Sequence, residues 1–426
     1  HNPWSMRLVP NRKALRVEIE VVNKAPEPSS PLGTIRRCSA ECPVCGYTTP
    51  AKNVRAQLKE KHGGADDSRM ICVVTTRQGE RGRFYRVPNS HDIRVAKAAA
   101  TRLRNQFAKH VGDLPLLPDE PTPAGGGRGA GRAFSQRSYG MDSFAHLFTS
   151  RQLLTLTTLS RHITSVGHRA AGQVGDDLAD AIQTVLALNL DKMADYGSSL
   201  ASWSSPASQE TVRQTFSRQA LSVVLDFAEA YPFADSSGGW LHNLEYLLRA
   251  VETQAASDSS AGTVSRADAA EHPLPDDSAA AIITDPPYYD AIPYADLSDF
   301  FIVWLRRSLP RKELAAFNGL SPKGEECVVD DTRGHDHQFF IQTMTRALAE
   351  ARRYAVPYGI GTVVFAHKST AGWEAQLNAL VDAGWIITGS WPIDTERAGR
   401  MRANDSAALA SSVHLICRPR ENLDGS

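Results

Sequence analysis

The stretch AIITDPPYYD, residues 281–290, constrains the fold of this chain more than any other. An apolar run, AAAIITD, ends on an acid and meets two successive prolines, which have no backbone N–H and cannot continue a ladder. A run without alternation reads as a strand buried on both faces, the mark of a parallel sheet flanked by helices. The strand therefore stops at Asp285, at the carboxyl end where doubly wound sheets hold ligands.

The residues after it repeat the alternation of helix and strand. Leu297, Phe300, Phe301, Trp304 and Leu305 mark a helix, and Ile341, Met344, Leu348 and Ala351 a second. GTVVFAHK is the next buried strand, then comes a helix on Trp373, Leu377, Leu380 and Val381, stopped at Gly384. WIITGSW and SSVHLICR close the set as two strands, and GTVSRAD is read as a short strand ending at Asp268. The expected architecture is a parallel, doubly wound α/β sheet covered on both faces.

Upstream, residues 139–256 change to a helical period. Stripes fall on Leu178, Ile182, Val185, Leu186, Asn189 and Met193, on Val212, Phe216, Ala220, Val223 and Phe227, and on Leu241, Leu244, Leu248 and Val251. Each reads as plain core. Residues 113–138, with GGGRGAG at their centre, are rich in Pro and Gly and read as a linker rather than a phosphate loop, since no apolar strand precedes the glycines. Residues 1–112 mix strand-like runs such as ALRVEIEVV with the knuckle CPVCG and a helix over 92–109. Residues 257–421 read as one region of alternating strands and helices that carries the 281–290 stretch, and 422–426 as a tail.

Composition narrows the partners. Among 426 residues the formal net charge is zero, so any nucleic-acid surface must be local. Arg77, Arg81, Arg83 and Arg86, followed by Arg94, Lys97, Arg102, Arg104 and Lys109, form such a cluster or a merely solvated surface. The absence of an apolar run of about 20 residues argues against a membrane span, and the first residues show no signal region, so a cytoplasmic protein is expected. Six cysteines, with Cys42 and Cys45 three apart, favour a reduced compartment and a metal over disulfides.

The chemistry of residues 285–288 follows from their types. Prolines at 286 and 287 aim the carbonyls beside them, so the Asp285 carboxylate and the Pro286 carbonyl can accept both hydrogens of an exocyclic amine. That turns the nitrogen lone pair toward an electrophile, while Tyr288 offers a ring face to the base carrying the amine, with Tyr289 behind it. The plainer alternative is a strand-ending turn in which the prolines stop the ladder and the tyrosines pack.

TDPPYYDAIPYADLSDFFIVWLRRSL resembles motif IV and the following helix of S-adenosylmethionine-dependent amino-methyltransferases. More narrowly, with CSAECPVCGYTTP, YGMDSFAHLFTSRQLLTLTTLS, VRQTFSRQALSVVLDFAEAYPFADSSGGWL and GSWPIDTERAGRMRANDSAALASSVHLICRPR, it resembles the prokaryotic zinc-ribbon-containing adenine-specific DNA methylases that carry the domain of unknown function 1156. The resemblance covers residues 34–420 and implies a partial Rossmann-like methyltransferase sheet with a helical insertion and an N-terminal zinc-ribbon-like segment. It makes Asp285, Pro286, Pro287 and Tyr288 the catalytic tetrapeptide. Asp268 becomes an acidic contact to the cofactor's adenosine, or else a helix N-cap.

Two family features are missing, a glycine-rich strand-turn-helix that cradles the cofactor and a first Cys pair of the ribbon. The expectation is therefore a C-terminal half that works with a partner chain or upstream segment. Cys42 and Cys45, with Cys38 as third candidate and His62 and Cys72 behind it, would hold zinc weakly or share it. The implied activity is transfer to N6 of adenine in DNA, on a base flipped out of the stack, within a restriction or anti-phage system. N4 of cytosine and a non-catalytic nucleic-acid-binding or assembly subunit are the rivals.

Overall fold

The structure, a computed structural model, describes residues 4–24, 33–36, 38–205, 210–310, 319–393 and 412–420. The chain forms a mixed α/β protein of two units, one made of His1–Ala124, Phe134–Ser257 and Leu297–Ser321, the other of Gly125–Ala133, Asp258–Asp296 and Pro322–Ser426.

The first unit begins with a hairpin of β1 (Ser5–Asn11) and β2 (Arg16–Val22), and the short strands β3 (Ile35–Arg36), β4 (Ser39–Glu41) and β5 (Thr48–Thr49) follow. Helix α1 (Ala51–Glu60) leads to the pair β6 (Val73–Thr75) and β7 (Phe84–Arg86). Helix α2 (Ser90–Ala108) starts on a capping box in which Asn89 Oδ1 accepts from Asp92 N–H and the Asp92 carboxylate accepts from Asn89 N–H. Helices α3 (Ser150–Val174) and α4 (Asp176–Tyr196) pack closely along their length, Gly167 leaving room for Gln183, whose side-chain oxygen would lie 1.9 Å from an added Cβ. The unit is completed by β8 (Ser202–Ser204), β9 (Thr211–Arg213), α5 (Trp240–Ala255) and the later turns of α6 (Tyr294–Leu305). Trp304 and Phe300 are fully buried there, their rings against Phe148 at 5.5 and 5.7 Å.

Three expectations for this region need correction. The stripe from Val212 to Phe227 is not a helix. Val212 lies in β9 opposite Trp203, the Phe216 N–H donates to the Asp195 carboxylate at 3.0 Å, and the chain runs on irregularly with Leu221 buried. Long-range hydrogen bonds outweigh the local period. The α5 stripe is helical but uncovered, with Leu241 70% exposed and Leu248 and Val251 also exposed. Residues 113–138 are no passive spacer, since Leu116, Phe134 and Gln136 are buried and Glu120 binds Arg306 at 3.0 Å and Arg307 at 2.9 Å. Pro and Gly forbid regular structure but not packing.

The second unit holds a four-stranded sheet of β10 (Ala279–Thr284), β11 (Ala355–Phe365), β12 (Trp385–Ile393) and β13 (Ser412–Pro419) in the order β10-β11-β13-β12. Strands β10 and β11 are parallel, but β13 runs antiparallel to both of its neighbours, which corrects the all-parallel expectation. Helices α7 (His337–Tyr354) and α8 (Thr370–Asp382) pack on one face through Phe340, Met344, Leu348, Ala375, Ala379 and Leu380. Trp385 anchors that face, its indole N–H donating to the Leu348 carbonyl at 2.9 Å. Gly361 in mid-strand admits its ring, which would lie 2.8 Å from an added Cβ.

Among the described residues the other face carries no helix of the second unit. Ile283 is 78% exposed, and Ile360, Ile386 and Trp391 are exposed as well, so the described part of this unit covers its sheet on one side only, against expectation. The outer edge of β10 carries no strand among the described residues. GTVSRAD, expected beside it, forms no strand, and Val264 is 99% exposed. A short β-branched run needs a partner ladder, and none lies alongside among the described residues. Residues 394–411, expected as a polar loop between β12 and β13, and the expected tail, residues 422–426, lie outside the described residues. No helix of the described residues is long and apolar enough to cross a membrane.

Candidate active site

The parallel register sets Thr284 opposite Val363, so Asp285 leaves β10 beside the carboxyl end of β11. The Asp285 side chain is exposed. Its charge reaches Tyr294, at the start of α6, whose phenol is pushed up by burial and then by Asp285. Beyond the prolines the Tyr289 N–H donates to the Pro287 carbonyl at 3.2 Å and the Ala291 N–H to the Tyr288 carbonyl at 2.9 Å. These bonds tighten the turn and use neither the Asp285 carboxylate nor the Pro286 carbonyl. Tyr288, half-buried, sets its ring on the edge of Phe365 at 5.4 Å.

Tyr289 turns the other way. Its φ of 51° is uncommon for a bulky residue, and the surroundings hold it there. Its carbonyl accepts from Val329 N–H at 2.9 Å, its hydroxyl sits 3.1 Å from His337 Nδ1, and its ring meets the edges of Phe340 and His367 at 5.2 and 5.3 Å. Tyr289 is thus held from several sides as a fixed wall of the turn.

Asp290, His367 and Arg132, none of them foreseen as site residues, complete the cluster. His367, buried two positions past the end of β11, places Nε2 3.0 Å from one Asp290 oxygen. Its Nδ1 lies 2.9 Å from the Ser369 hydroxyl. Gly372 permits this, because an added Cβ would lie 2.2 Å from His367 Nδ1. Arg132 donates to the other Asp290 oxygen at 2.9 Å. The His367 hydrogen bond first, then the charges of Arg132, His367 and Lys368, hold the Asp290 carboxyl below its usual range against the opposing effect of burial.

Arg132 comes from Gly125–Ala133, the glycine run read as linker. Its own guanidinium donates to the Gly129 carbonyl at 2.8 Å, and Ala130 N–H donates to Val329 O at 3.1 Å. Gly129 lies so close that a Cβ would stand 2.2 Å from the Val329 oxygen. The glycines are there for close approach.

Asp268 is not brought to the site by a strand. It is exposed in a turn where its carboxylate accepts from Ala270 N–H at 2.8 Å, the bonding of a local cap. Asp268, the one residue expected to contact a cofactor, is therefore engaged in its own turn. A cleft of about 1450 Å³ in the first unit, lined among others by Trp4, Cys72, Tyr85 and Trp203, contains none of residues 285–290. The basic cluster is partly consumed within the fold, Arg86 by Asp92 at 2.6 Å and Arg77 by the Phe84 ring at 3.9 Å.

The knuckle is formed but half-equipped. Cys42 N–H donates to Tyr47 O and Gly46 N–H to Cys42 O, both at 2.8 Å, and the backbone N–H groups of Cys45 and Val44 lower the Cys42 thiol. Cys38 instead lies 3.8 Å from the Tyr139 hydroxyl, and burial pushes the Cys72 thiol up. No group of three metal-ligating side chains forms among the described residues. Two thiolates do not close a tetrahedral site, so elemental analysis of the purified chain is expected to find zinc well below one per molecule. Stoichiometric zinc that disappears in Cys38→Ser or Cys72→Ser would contradict this.

Comparison with models of protein families, with curated proteins and with solved structures finds no match to this chain.

Proposed function

We propose that the chain is the catalytic C-terminal half of a DNA amino-methyltransferase acting on N6 of adenine in a restriction or anti-phage system, and that its sheet is completed by a partner chain or upstream segment. The observation that carries the reading is the position of Asp285, Pro286, Pro287 and Tyr288, at the carboxyl end of β10 and beside that of the parallel β11. The motif resemblance supports it independently.

In this reading the Asp285 carboxylate and the Pro286 carbonyl accept the two amine hydrogens and orient the nitrogen lone pair outward. Pro287 and the fixed Tyr289 keep the turn from yielding when the base arrives. Tyr288 stacks on the base, which must leave the duplex at a cost of a few kcal/mol, least at a mispaired or single-stranded position. S-adenosylmethionine supplies the methyl group when bound. The open edge and open face favour a partner that brings strands and covering helices, and would suit an assembly subunit equally well.

The test is nucleoside mass spectrometry on DNA from cells expressing the chain with the proteins encoded beside it. N6-methyladenine is expected, and Tyr288→Ala is expected to weaken capture of the base by about 1 to 3 kcal/mol. N4-methylcytosine would move the assignment to the other amine, and no methylated base at all would leave the assembly role.

A further inference from the structure

We infer that the Gly125–Ala133 arm is a polynucleotide-binding element of this site, with Arg128 taking a backbone phosphate close to the target base. The choice of a polynucleotide as ligand rests on the methyltransferase reading, and the placement of the arm beside Asp290 does not.

The arm is placed with purpose. Its chain neighbours on both sides belong to the first unit, yet these residues belong to the second. They are fastened at Gly129 and Ala130 to Val329, by a bridge between Gly129 and Asp330, and by the ion pair of Arg132 with Asp290. Asp290 follows the catalytic turn directly, so the arm is tied to the same loop that carries Tyr288. A spacer would need no such attachments.

Its turn is built to be approached. Gly125, Gly126 and Gly127 all have positive φ, at 69°, 94° and 68°, and an added Cβ on Gly126 would meet nothing within 4 Å. Arg128, next in the chain, is exposed and forms no ion pair among the described residues, whereas Arg132 is consumed by Asp290. The nearby carboxylates have other partners or lie beside the turn: Asp330 binds Thr332 through its oxygen at 2.7 Å, and the Asp331 side chain flanks Gly127. A planar guanidinium on a turn without side-chain bulk suits a phosphate, which it can grip with two parallel hydrogen bonds.

The experiment measures binding of a fluorescein-labelled single-stranded oligodeoxynucleotide to the chain by anisotropy across a salt series, together with methyl transfer in the assay above. Loss of one phosphate contact should flatten the plot of log affinity against log salt by about 0.7. Arg128→Ala is expected to show that change, and Arg128→Lys, which keeps the charge, to restore most of the slope. An unchanged slope in Arg128→Ala overturns the inference, as does failure of the unsubstituted chain to bind the oligonucleotide. If the slope falls as expected but no methylated base forms, the arm stands and the methyltransferase reading falls.

Discussion

Asp285→Ala is expected to abolish methyl transfer in the complete enzyme while leaving the fold unchanged. The side chain is exposed and takes no part in the hydrogen bonds that close its turn, so its removal should shift stability by no more than about 0.5 kcal/mol. Its chemical role is different in scale. In the proposed reaction it supplies one of two acceptors that hold the amine, and removing a preorganised polar group at a reacting centre costs about 100- to 1000-fold in rate or more. Asp285→Asn keeps the shape and replaces an acceptor with a donor, which should be nearly as damaging. Thermal unfolding and nucleoside mass spectrometry of both variants separate the two effects, and undiminished methylation in Asp285→Ala would remove the basis of the assignment.

The second large effect concerns the cofactor. Alone, the chain is expected to bind S-adenosylmethionine no more tightly than millimolar, about 4 kcal/mol short of a micromolar site. The reason lies in the second unit. Cofactors of doubly wound folds lie across the carboxyl ends of several adjacent strands, at a glycine turn that lets the backbone come close. Here β10 is the last strand on its side among the described residues, and Asp268 spends its carboxylate on its own turn. In the proposed reading the acceptors of the amine are in place, and the strands that would carry the cofactor come from the partner or upstream segment. Calorimetric titration should show micromolar affinity only after the partner strands are added, in cis or as a separate chain. Micromolar binding by residues 1–426 unaided would refute the division of the site.

Much of the second unit was legible in the sequence because its elements are decided locally. The strands of AAAIITD, GTVVFAHK, WIITGSW and SSVHLICR form, Gly384 ends α8 with a φ of 81°, and the prolines end β10 at Thr284. What escaped depends on distant partners. An isolated apolar run does not say which way its neighbour will run, so the antiparallel β13 was not foreseen. The Val212 stripe has a helical period, but the Asp195 carboxylate claims Phe216 N–H from another element. In the site, His367 left a readable signal, a polar residue just beyond a strand parallel to that of Asp285. Arg132 left none, because its attachment to Asp290 spans 158 positions and runs through glycines that look like those of any linker.

The bare edge of β10 and the uncovered Ile283 bear on how such a chain is produced in a cell. An unpaired parallel edge beside exposed aliphatic side chains is a template on which further copies can add, so surplus chain is drawn toward aggregation. If a partner chain completes the sheet as proposed, the yield of dispersed protein should depend on the ratio of synthesis of the two chains rather than on the amount of either. Translation of both from one message would keep that ratio fixed and leave the edge exposed only briefly.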